Sequence, residues 1–416
     1  MTTILWLSSC AVDPGVGAPE PNPPIGEENR VPVRSPVVVH ESVPSQGDEP
    51  ADWLFANDIV HTIDITVSDA SYTALDNNPF EYTGASLTID GLDVPEVGIR
   101  LRGAIGSFRE IWDKPKFKVE FDWSVPGRDF FGLEELALNN SVADCSYLKE
   151  AVAYRIFEEA GIPRPRLSFA RVTLNGIDYG LYQVVESEDE NFLARVQEDP
   201  TGNFYDGKYI WFGGWSYTLI DFDPSVQDLY KLEEGLDVAH ADVHAVTDAV
   251  VAGQFTPDFL PLTDPVVDWD QWHMVLAVEE FIGHNDGYAL NQNNYRVYFD
   301  PEDGKAEMFP WDLDNTFLED YWWGMSWLLP RGKLAAACWA DPDCWQDHAV
   351  VVDDLLTRME SLDVESYVAE LHALTYEDAM SDPKLPTCAA YVEVNRTAIL
   401  TWVDSRPADL IGHWDL

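Results

Sequence analysis

The sequence predicts an α+β fold in which a β-rich first part precedes a helix-rich second part. Residues 61–67 alternate apolar and polar side chains, as a half-buried strand does. Asn175-Gly176 separates two further strand-like runs and is a strong hairpin signal. In the second part, residues 269–282 place large apolar side chains at helical spacing. These observations put a mainly antiparallel sheet first and most helices after it.

The elements of the first part follow from periodicity and from turn residues. We expect strands at 61–67, 82–89, 94–101, 117–121, 167–174 and 179–185, and a turn with a short strand within 132–139. Helices are expected at 68–75, from the capping residue to about 160, and at 186–196. Asp144 or Ser146 is the expected cap of the helix that ends near Ala160, because Gly161 and Pro163 follow it.

The second part begins with an aromatic, Gly-rich and irregular segment over residues 200–270. The expected helices cover residues 239–251, 269–282, 350–362, 364–375 and 391–406. No internal repeat is present. We therefore expect one folded domain over 57–416, with a first part to about residue 190 and a second part from about residue 191.

Charge excludes one class of partner. The 416 residues include 74 acidic and 25 basic ones, for a formal net charge of −49. Lys and Arg are too few to neutralise phosphates, so we expect no nucleic acid partner. The acidity indicates either a solvated, self-repelling surface, suited to a saline medium, or attraction of cations or basic proteins. No apolar run is long enough to form a transmembrane helix.

The N-terminus suggests export. A short apolar run at residues 4–7 precedes Ser8-Ser9-Cys10, which resembles a bacterial lipobox. We expect a lipoprotein-type signal at 1–10 and a Pro- and Glu-rich tether at 11–56. The chain would then be a cell-surface or periplasmic lipoprotein, or extracellular, touching a membrane only through a lipid on Cys10. The alternative is an ordinary cysteine in an unstructured leader.

The remaining cysteines also suit an exported protein. Cys338 and Cys344 bracket a turn-like segment that can close a small disulfide loop. Cys145 and Cys388 would then form the second pair, although four cysteines permit three pairings.

The stretch from His284 to Asp314 carries the strongest chemical pattern. His284, Asp286 and Asn291 have the spacing of the protein-kinase catalytic loop, in which the Asp accepts a hydroxyl proton and the Asn binds a metal ion. Asp312 and Asp314 follow a strand pair, in the place of a second metal ligand. Such oxygen ligands suit Mg²⁺ or Mn²⁺. The alternative is a polar loop whose side chains hydrogen-bond their own turn.

Several sequence blocks occur together and in order. They are Val97–Gly103 with Ser107 and Lys114–Lys118, Leu138–Asn140, Asp144–Glu150, Ala153–Phe157, Gly161–Pro163, Val172–Gly176, Gly180–Tyr182 with Glu186, Asn285-Asp286, Asn293–Tyr295 and Pro310–Asp314. In these blocks, over about residues 60–330, the sequence resembles the CotH kinase family. The resemblance implies an atypical protein-kinase-like bilobal fold, with a β-rich N-lobe and a helix-rich C-lobe. It also implies transfer of the ATP γ-phosphate to Ser or Thr of secreted proteins.

The resemblance assigns roles to individual residues. Asp286 would be the catalytic carboxylate, and Asn291, Asp312 and Asp314 would hold the metal ion. Four residues would serve the nucleotide: Lys116 or Lys118 at the phosphates, Glu150 as the partner of that lysine, and Glu186 at the hinge beside adenine. The lysines could instead be solvated strand-edge charges, and Glu150 an ordinary first-turn charge.

Two departures from the kinase pattern keep other functions open. Gly287 stands where the family often has a basic residue after the catalytic-loop Asp, and no kinase-type Gly-rich loop is present. An inactive kinase-like protein that binds or assembles partners at the surface is therefore the alternative to an enzyme. A third interpretation is an acidic, cation-binding scaffold.

Overall fold

A computed structural model of the chain describes residues 49–213, 216–318, 326–327 and 329–416. The predicted signal segment with Cys10, and the predicted tether as far as residue 48, lie outside these residues. The elements in chain order are α1 (Asp52–Phe55), β1 (His61–Val67), α2 (Asp69–Asn77), β2 (Thr83–Ile89), β3 (Leu92–Arg102), β4 (Lys116–Glu120), β5 (Glu135–Asn139), α3 (Lys149–Glu159), β6 (Leu167–Leu174), β7 (Ile177–Glu186), α4 (Glu190–Val196), β8 (Asn203–Asp206), β9 (Ile210–Gly213), β10 (Ser216–Thr218), β11 (Lys231–Glu234), α5 (Ala241–Gly253), α6 (Phe259–Thr263), α7 (Trp269–Ile282), α8 (Tyr288–Asn291), β12 (Tyr295–Phe299), β13 (Ala306–Pro310), α9 (Lys333–Ala340), α10 (Pro342–Met359), α11 (Val364–Met380) and α12 (Val392–Trp414).

The first part of the chain closes into a seven-stranded barrel. The strand order is β1-β2-β3-β4-β5-β7-β6, and a parallel pairing of β1 with β6 completes the ring. Alternation in β1 buries every second residue, as the sequence predicts. The buried cluster of the barrel includes Ile63, Ile99, Phe117 and Val184. The opposite faces of β3 and β4 therefore carry the polar side chains that become important below.

The folded region begins earlier than the sequence predicts. Residues 52–55, assigned to the tether, form α1, and Leu54 is fully buried. The Ser168 hydroxyl donates to the Leu54 carbonyl at 2.6 Å, and Arg166 pairs with Asp52 at 2.6 Å. This short helix therefore packs on the barrel, because its apolar residues cover the start of β6.

The second part combines a small sheet with helices. Strands β11, β8, β12 and β13 form a four-stranded antiparallel sheet, and α7 packs beside β13. The prediction for α7 is confirmed at both ends, since the Asp268 side chain caps its start and Gly283 ends it with φ +63°. The chain is thus a mixed α+β protein. No helix among the described residues has both the length and the apolar character needed to span a bilayer.

Some helix boundaries differ from the predicted ones. α10 begins at Pro342, with Asp341 as its cap, eight residues before the predicted start. The signal was present, because a capping Asp followed by Pro at the first helical position is a common helix start. Residues 186–189 are not helical, since β7 runs to Glu186 and Asp189 caps α4 at Glu190.

Both expected disulfides are confirmed. Cys145 is bonded to Cys388, and Cys338 to Cys344. The first bridge closes a separation of 243 residues, so it ties the segment before α3 to the segment before α12. The second closes a separation of only six residues, between α9 and α10.

A buried ion pair also ties the C-terminal helices to the barrel. The Lys114 ammonium, just before β4, is completely buried and bonds to the Asp382 carboxylate and to the Leu181 carbonyl. Burial lowers the pKa of Lys114 to about 8, although Asp382 opposes that shift. The same carboxylate accepts from the Tyr147 hydroxyl at 3.1 Å and from the Leu181 amide at 3.0 Å. Asp382 thus satisfies several buried donors at once.

Removing this carboxylate tests how much the junction contributes. Asp382→Ala would leave Lys114 buried without its counterion, and we expect the free energy of unfolding to fall by about 3–5 kcal/mol in urea titrations. Asp378→Ala is the matched control, because Asp378 pairs with Arg171 at a half-exposed position and should cost under about 1 kcal/mol. Equal losses in the two variants would contradict this role for Asp382.

Candidate functional site

A cleft of about 2460 Å³ runs between the polar face of the barrel and the loops around β12 and β13. Its walls include Arg102 from β3, Lys118 from β4, and Asp286, Asp312 and Asp314 from the second part. The cleft therefore collects polar side chains from segments that lie far apart in the sequence.

Lys116 is the barrel residue that reaches the aspartates. Its ammonium donates to Asp312 Oδ1 at 2.8 Å and Oδ2 at 3.1 Å, and to Asp314 Oδ2 at 3.3 Å. The side chain is 1% exposed. Burial favours a lower pKa for Lys116, but the two carboxylates outweigh it and hold the pKa above its usual range. Lys116 is therefore a charged group in a nearly dry contact.

The two aspartates follow β13 in a tight turn. Asp312 adopts φ +50°, a left-handed conformation that Asp tolerates better than most residues. Burial favours a raised pKa for Asp312, but Lys116 and then Arg102 lower it overall. For Asp314, burial and the neighbouring carboxylates Asp312 and Asp286 raise the pKa to about 6 despite Lys116. The pair thus carries more negative charge than Lys116 neutralises.

Asp286 lies in the turn between α7 and α8 and is held by amides. Asn291, in α8, donates its side-chain NH₂ to Asp286 Oδ1, and Asn294 donates to Oδ2 at 3.1 Å. Asn294 also donates to the Asp312 carbonyl at 3.2 Å, so it links the two halves of the site. Burial raises the pKa of Asp286, with Asp312 adding to the effect and the amides opposing it.

Two more residues predicted to serve the nucleotide, Glu150 and Lys118, lie nearby but do not pair as the resemblance implies. The Glu150 carboxylate in α3 accepts from Asn139 at 2.9 Å, and no ion pair within 4 Å joins it to Lys116 among the described residues. Burial, and next Asp312, raise the pKa of Glu150 to about 8, which keeps the group largely protonated. Lys118 lines the cleft and pairs with Glu135 on β5.

Glu186 is the predicted site residue whose carboxylate is engaged elsewhere. It accepts from the Arg166 guanidinium at 2.7 Å and from Arg195 at 2.6 Å. Its backbone nevertheless ends β7, and the next residues, Ser187–Asp189, line the cleft. The chain after Glu186 therefore lines the cleft, while the Glu186 side chain pairs with Arg166 and Arg195.

The sequence did not single out an arginine–tryptophan stack in the cleft wall. The Trp311 ring contacts two guanidinium groups, that of Arg102 at 5.1 Å and that of Arg296 at 5.3 Å from the ring centre. Arg296 also bonds to Glu188 at 3.0 Å and to Asp206 at 3.1 Å. The only sequence signal is that Trp311 precedes Asp312 directly. Asn294 lies in one of the sequence blocks, but the sequence predicted no function for it.

The donor set suits a hard divalent cation. Asp286, Asp312 and Asp314 bring three carboxylates to one end of the cleft, and Lys116 is the ammonium bonded there. Asn291 uses its NH₂ on Asp286, which leaves its carbonyl oxygen as a potential ligand. Mg²⁺ and Mn²⁺ prefer such oxygen ligands, and the surplus negative charge favours a cation. The residues therefore fit the expected metal.

Comparisons with known proteins agree with the family resemblance seen in the sequence blocks. A family model described as CotH kinase protein matches residues 99–410. Inner spore coat protein H of Bacillus subtilis (strain 168) is 28% identical over 222 residues, 52% of this chain and 58% of that protein. The inner spore coat protein H-like protein of that strain is 22% identical over 307 residues, 72% of this chain and 85% of the other.

A solved structure was also matched. It belongs to the HipA, HipB and operator DNA complex of a Shewanella oneidensis MR-1 toxin–antitoxin system, with 14% identity and 68% of this chain and 60% of the other covered. Its TM-score of 0.25 is too low to carry an argument about the fold. The family model does carry one, because it matches well over half of the sequence and includes the cleft residues. The chain belongs to the CotH kinase protein family.

Proposed function

We propose that this chain is a metal-dependent protein kinase that transfers the ATP γ-phosphate to a Ser or Thr hydroxyl of an exported protein. The observation that carries the proposal is the contact of Lys116 with Asp312 and Asp314, beside Asp286. Kinases need one lysine for the phosphates, an aspartate for the metal ion and a carboxylate for the attacking hydroxyl. Family membership supports the same chemistry.

Asp286 would act on the substrate hydroxyl. The hydroxyl oxygen attacks the γ-phosphorus, the bond to the ADP oxygen breaks, and the hydroxyl proton passes to the Asp286 carboxylate. The amides of Asn291 and Asn294 fix the direction of that carboxylate. Its raised pKa brings it closer to neutral pH, which improves a general base.

The metal ligands would be Asn291, Asp312 and Asp314. A bound Mg²⁺ or Mn²⁺ supplies positive charge against the phosphate oxygens. Lys116 would turn from Asp312 toward a phosphate once the metal takes up the carboxylate charge. Asn294 would keep Asp286 and Asp312 in register, because it bonds to both.

We propose a bilobal, kinase-like arrangement, with the barrel and α3 as the N-lobe and the following sheet and helices as the C-lobe. Ser187–Asp189 would be the hinge, since it follows β7 and lines the cleft. The nucleotide base would then contact this backbone. Glu186, fixed by two arginines, would hold the hinge instead of touching adenine itself.

The substrate and location are also proposals. The net charge of −49 favours a basic protein substrate. Two disulfides suit an oxidising compartment outside the cytosol. Both curated relatives are named as spore coat proteins, which supports a surface or exported protein. A lipid anchor on Cys10 would be its membrane attachment.

Gly287 bears on the alternative of an inactive, partner-binding protein. A Cβ at this position would lie 2.4 Å from Glu279 Oε1 and 2.6 Å from His284 Nδ1. The Glu279 carboxylate accepts from the first amides of α8, Tyr288 at 3.0 Å and Ala289 at 3.1 Å. Local packing thus favours glycine at position 287. Its presence is therefore not an argument for an inactive protein.

The catalytic proposal is tested by Asp286→Asn. We expect at least a hundredfold loss of label transfer from ATP to a basic protein substrate with Mg²⁺ or Mn²⁺, because the base is lost while the amide keeps the shape. ATP binding and the melting temperature should change little. Asp248→Asn, on the exposed face of α5, is the control. Equal, minimal transfer by wild type and Asp286→Asn, with a partner protein still captured, would favour the inactive binding protein.

Gly287→Ala tests the packing argument. The added methyl group would displace Glu279 or His284, and we expect a loss of about 1–3 kcal/mol in unfolding free energy together with lower transfer. Gly412→Ala is the matched control, since its Cβ meets nothing within 4 Å in α12 and should be neutral or slightly stabilising. An unchanged melting temperature for Gly287→Ala would show that the turn has more room than the distances indicate.

A further inference from the structure

Lys149 is a buried cation that has no role in the site described so far. It is the first residue of α3, is 6% exposed and lines the cleft. Among the described residues, no carboxylate lies within 4 Å of its ammonium, and no hydrogen bond to that ammonium is formed. A largely buried charge that faces a cleft without a protein partner is stabilised by an anionic ligand, so Lys149 points to an anion in the cleft.

The other lysines in the cleft wall, and Lys116 beside it, differ from Lys149. Lys116 bonds to Asp312 and Asp314, and Lys118 to Glu135. Lys208 pairs with Asp206, and Lys231 with Glu233. Each of these four has a carboxylate partner within 4 Å. Lys149 is therefore the lysine in the described cleft wall whose charge is left for a ligand.

The surroundings of Lys149 explain why it stays unpaired. Asp144 and Asp314 are the carboxylates that influence it electrostatically. The oxygens of Asp144 already accept from the Lys149 backbone amide at 3.0 Å and from the Ser146 amide at 2.8 Å. Asp144 is thus held by backbone amides just before and at the start of α3, although the residue that precedes this helix is Leu148 and neither Asp144 nor Ser146 is its cap as predicted. Burial outweighs both carboxylates and lowers the pKa of Lys149.

Lys149 also supplies a positive charge that position 287, a glycine, does not. The family often has a basic residue directly after the catalytic aspartate, and here the space for any side chain is filled by Glu279 and His284. Lys149, at the start of α3, lines the same cleft as Asp286 and Asp314. A cation is thus supplied to the same group of carboxylates from another element.

We propose that Lys149 binds the phosphoryl group that is transferred, which is the terminal phosphate of ATP. The inference rests on the proposed kinase function. Lys149 takes the part of the missing basic residue, while Lys116 serves the aspartate pair. A free phosphate ion offers the same oxygen chemistry, so the experiment must distinguish the two ligands.

The test compares ATP and ADP, which differ only in that phosphate. Dissociation constants with Mg²⁺ are measured by calorimetry for wild type, Lys149→Met, Lys149→Arg and the control Lys231→Met. We expect Lys149→Met to weaken ATP binding at least tenfold and ADP binding less than twofold. Lys149→Arg should recover most of the affinity, and Lys231→Met should resemble wild type, since Lys231 is 65% exposed and already paired.

A stability measurement separates this role from a structural one. Because Lys149 has no partner to lose, Lys149→Met should melt at the wild-type temperature or above it without nucleotide. Lower stability, or equal weakening of ATP and ADP, would overturn the assignment while leaving the kinase proposal intact. Failure of wild type to bind either nucleotide would overturn the kinase proposal itself. Loss of inorganic phosphate binding alone in Lys149→Met would show a simple anion site and refute the ATP assignment.

Discussion

The contact of Lys116 with Asp312 and Asp314 is the constraint on which the site depends. It joins β4 of the barrel to the turn after β13, across 196 residues of sequence. For the contact to form, the barrel must present the outer face of β4, and the second sheet must end at the cleft. The barrel supplies the first condition through strand alternation, and the pairing of β12 with β13 supplies the second. Neither half would hold the charges alone.

Residues behind the contact keep it in place. The Lys114–Asp382 pair fixes the start of β4 against the C-terminal helices, and Asn139 occupies the carboxylate of Glu150. Glu150 is mostly neutral at its raised pKa, so it does not compete with the aspartates for Lys116. A metal ion that neutralised Asp312 would change this balance and lower the pKa of Glu150, because Asp312 is one cause of its rise. The charges of Lys116, Asp312 and Glu150 therefore depend on one another.

Much of this could be predicted from the sequence, for identifiable reasons. β1 and α7 were predicted at their true bounds, because alternation and capping residues are local signals. Asp286, Asn291 and Asp312 could be named as candidates because their spacing follows from loop and hairpin lengths, which are also local. The sequence could not predict whether Lys116 or Lys118 reaches the aspartates, because strand alternation puts both on one face. Only the three-dimensional position of the β13 turn decides it.

The residues that escaped prediction depend on non-local packing. The partners of Glu186 are Arg166, on the neighbouring strand, and Arg195, in α4, and no periodicity marks them as its ligands. The short strands β8, β9, β10 and β11 were missed because large aromatic residues are mixed there with Gly and acidic residues, without a clean period.

Charge balance connects these observations to function. The inner end of the cleft gathers Asp286, Asp312 and Asp314 around Lys116, with Glu150 neutral beside them. Burial strengthens the repulsion between these carboxylates. The cluster is therefore stable only if some of the carboxylates are protonated or if a cation binds to them. Lys149, unpaired, adds the opposite requirement for an anion a short way along the wall. A cation and an anion that arrive together would satisfy both requirements, and the metal–nucleotide complex of the proposed kinase function would supply them.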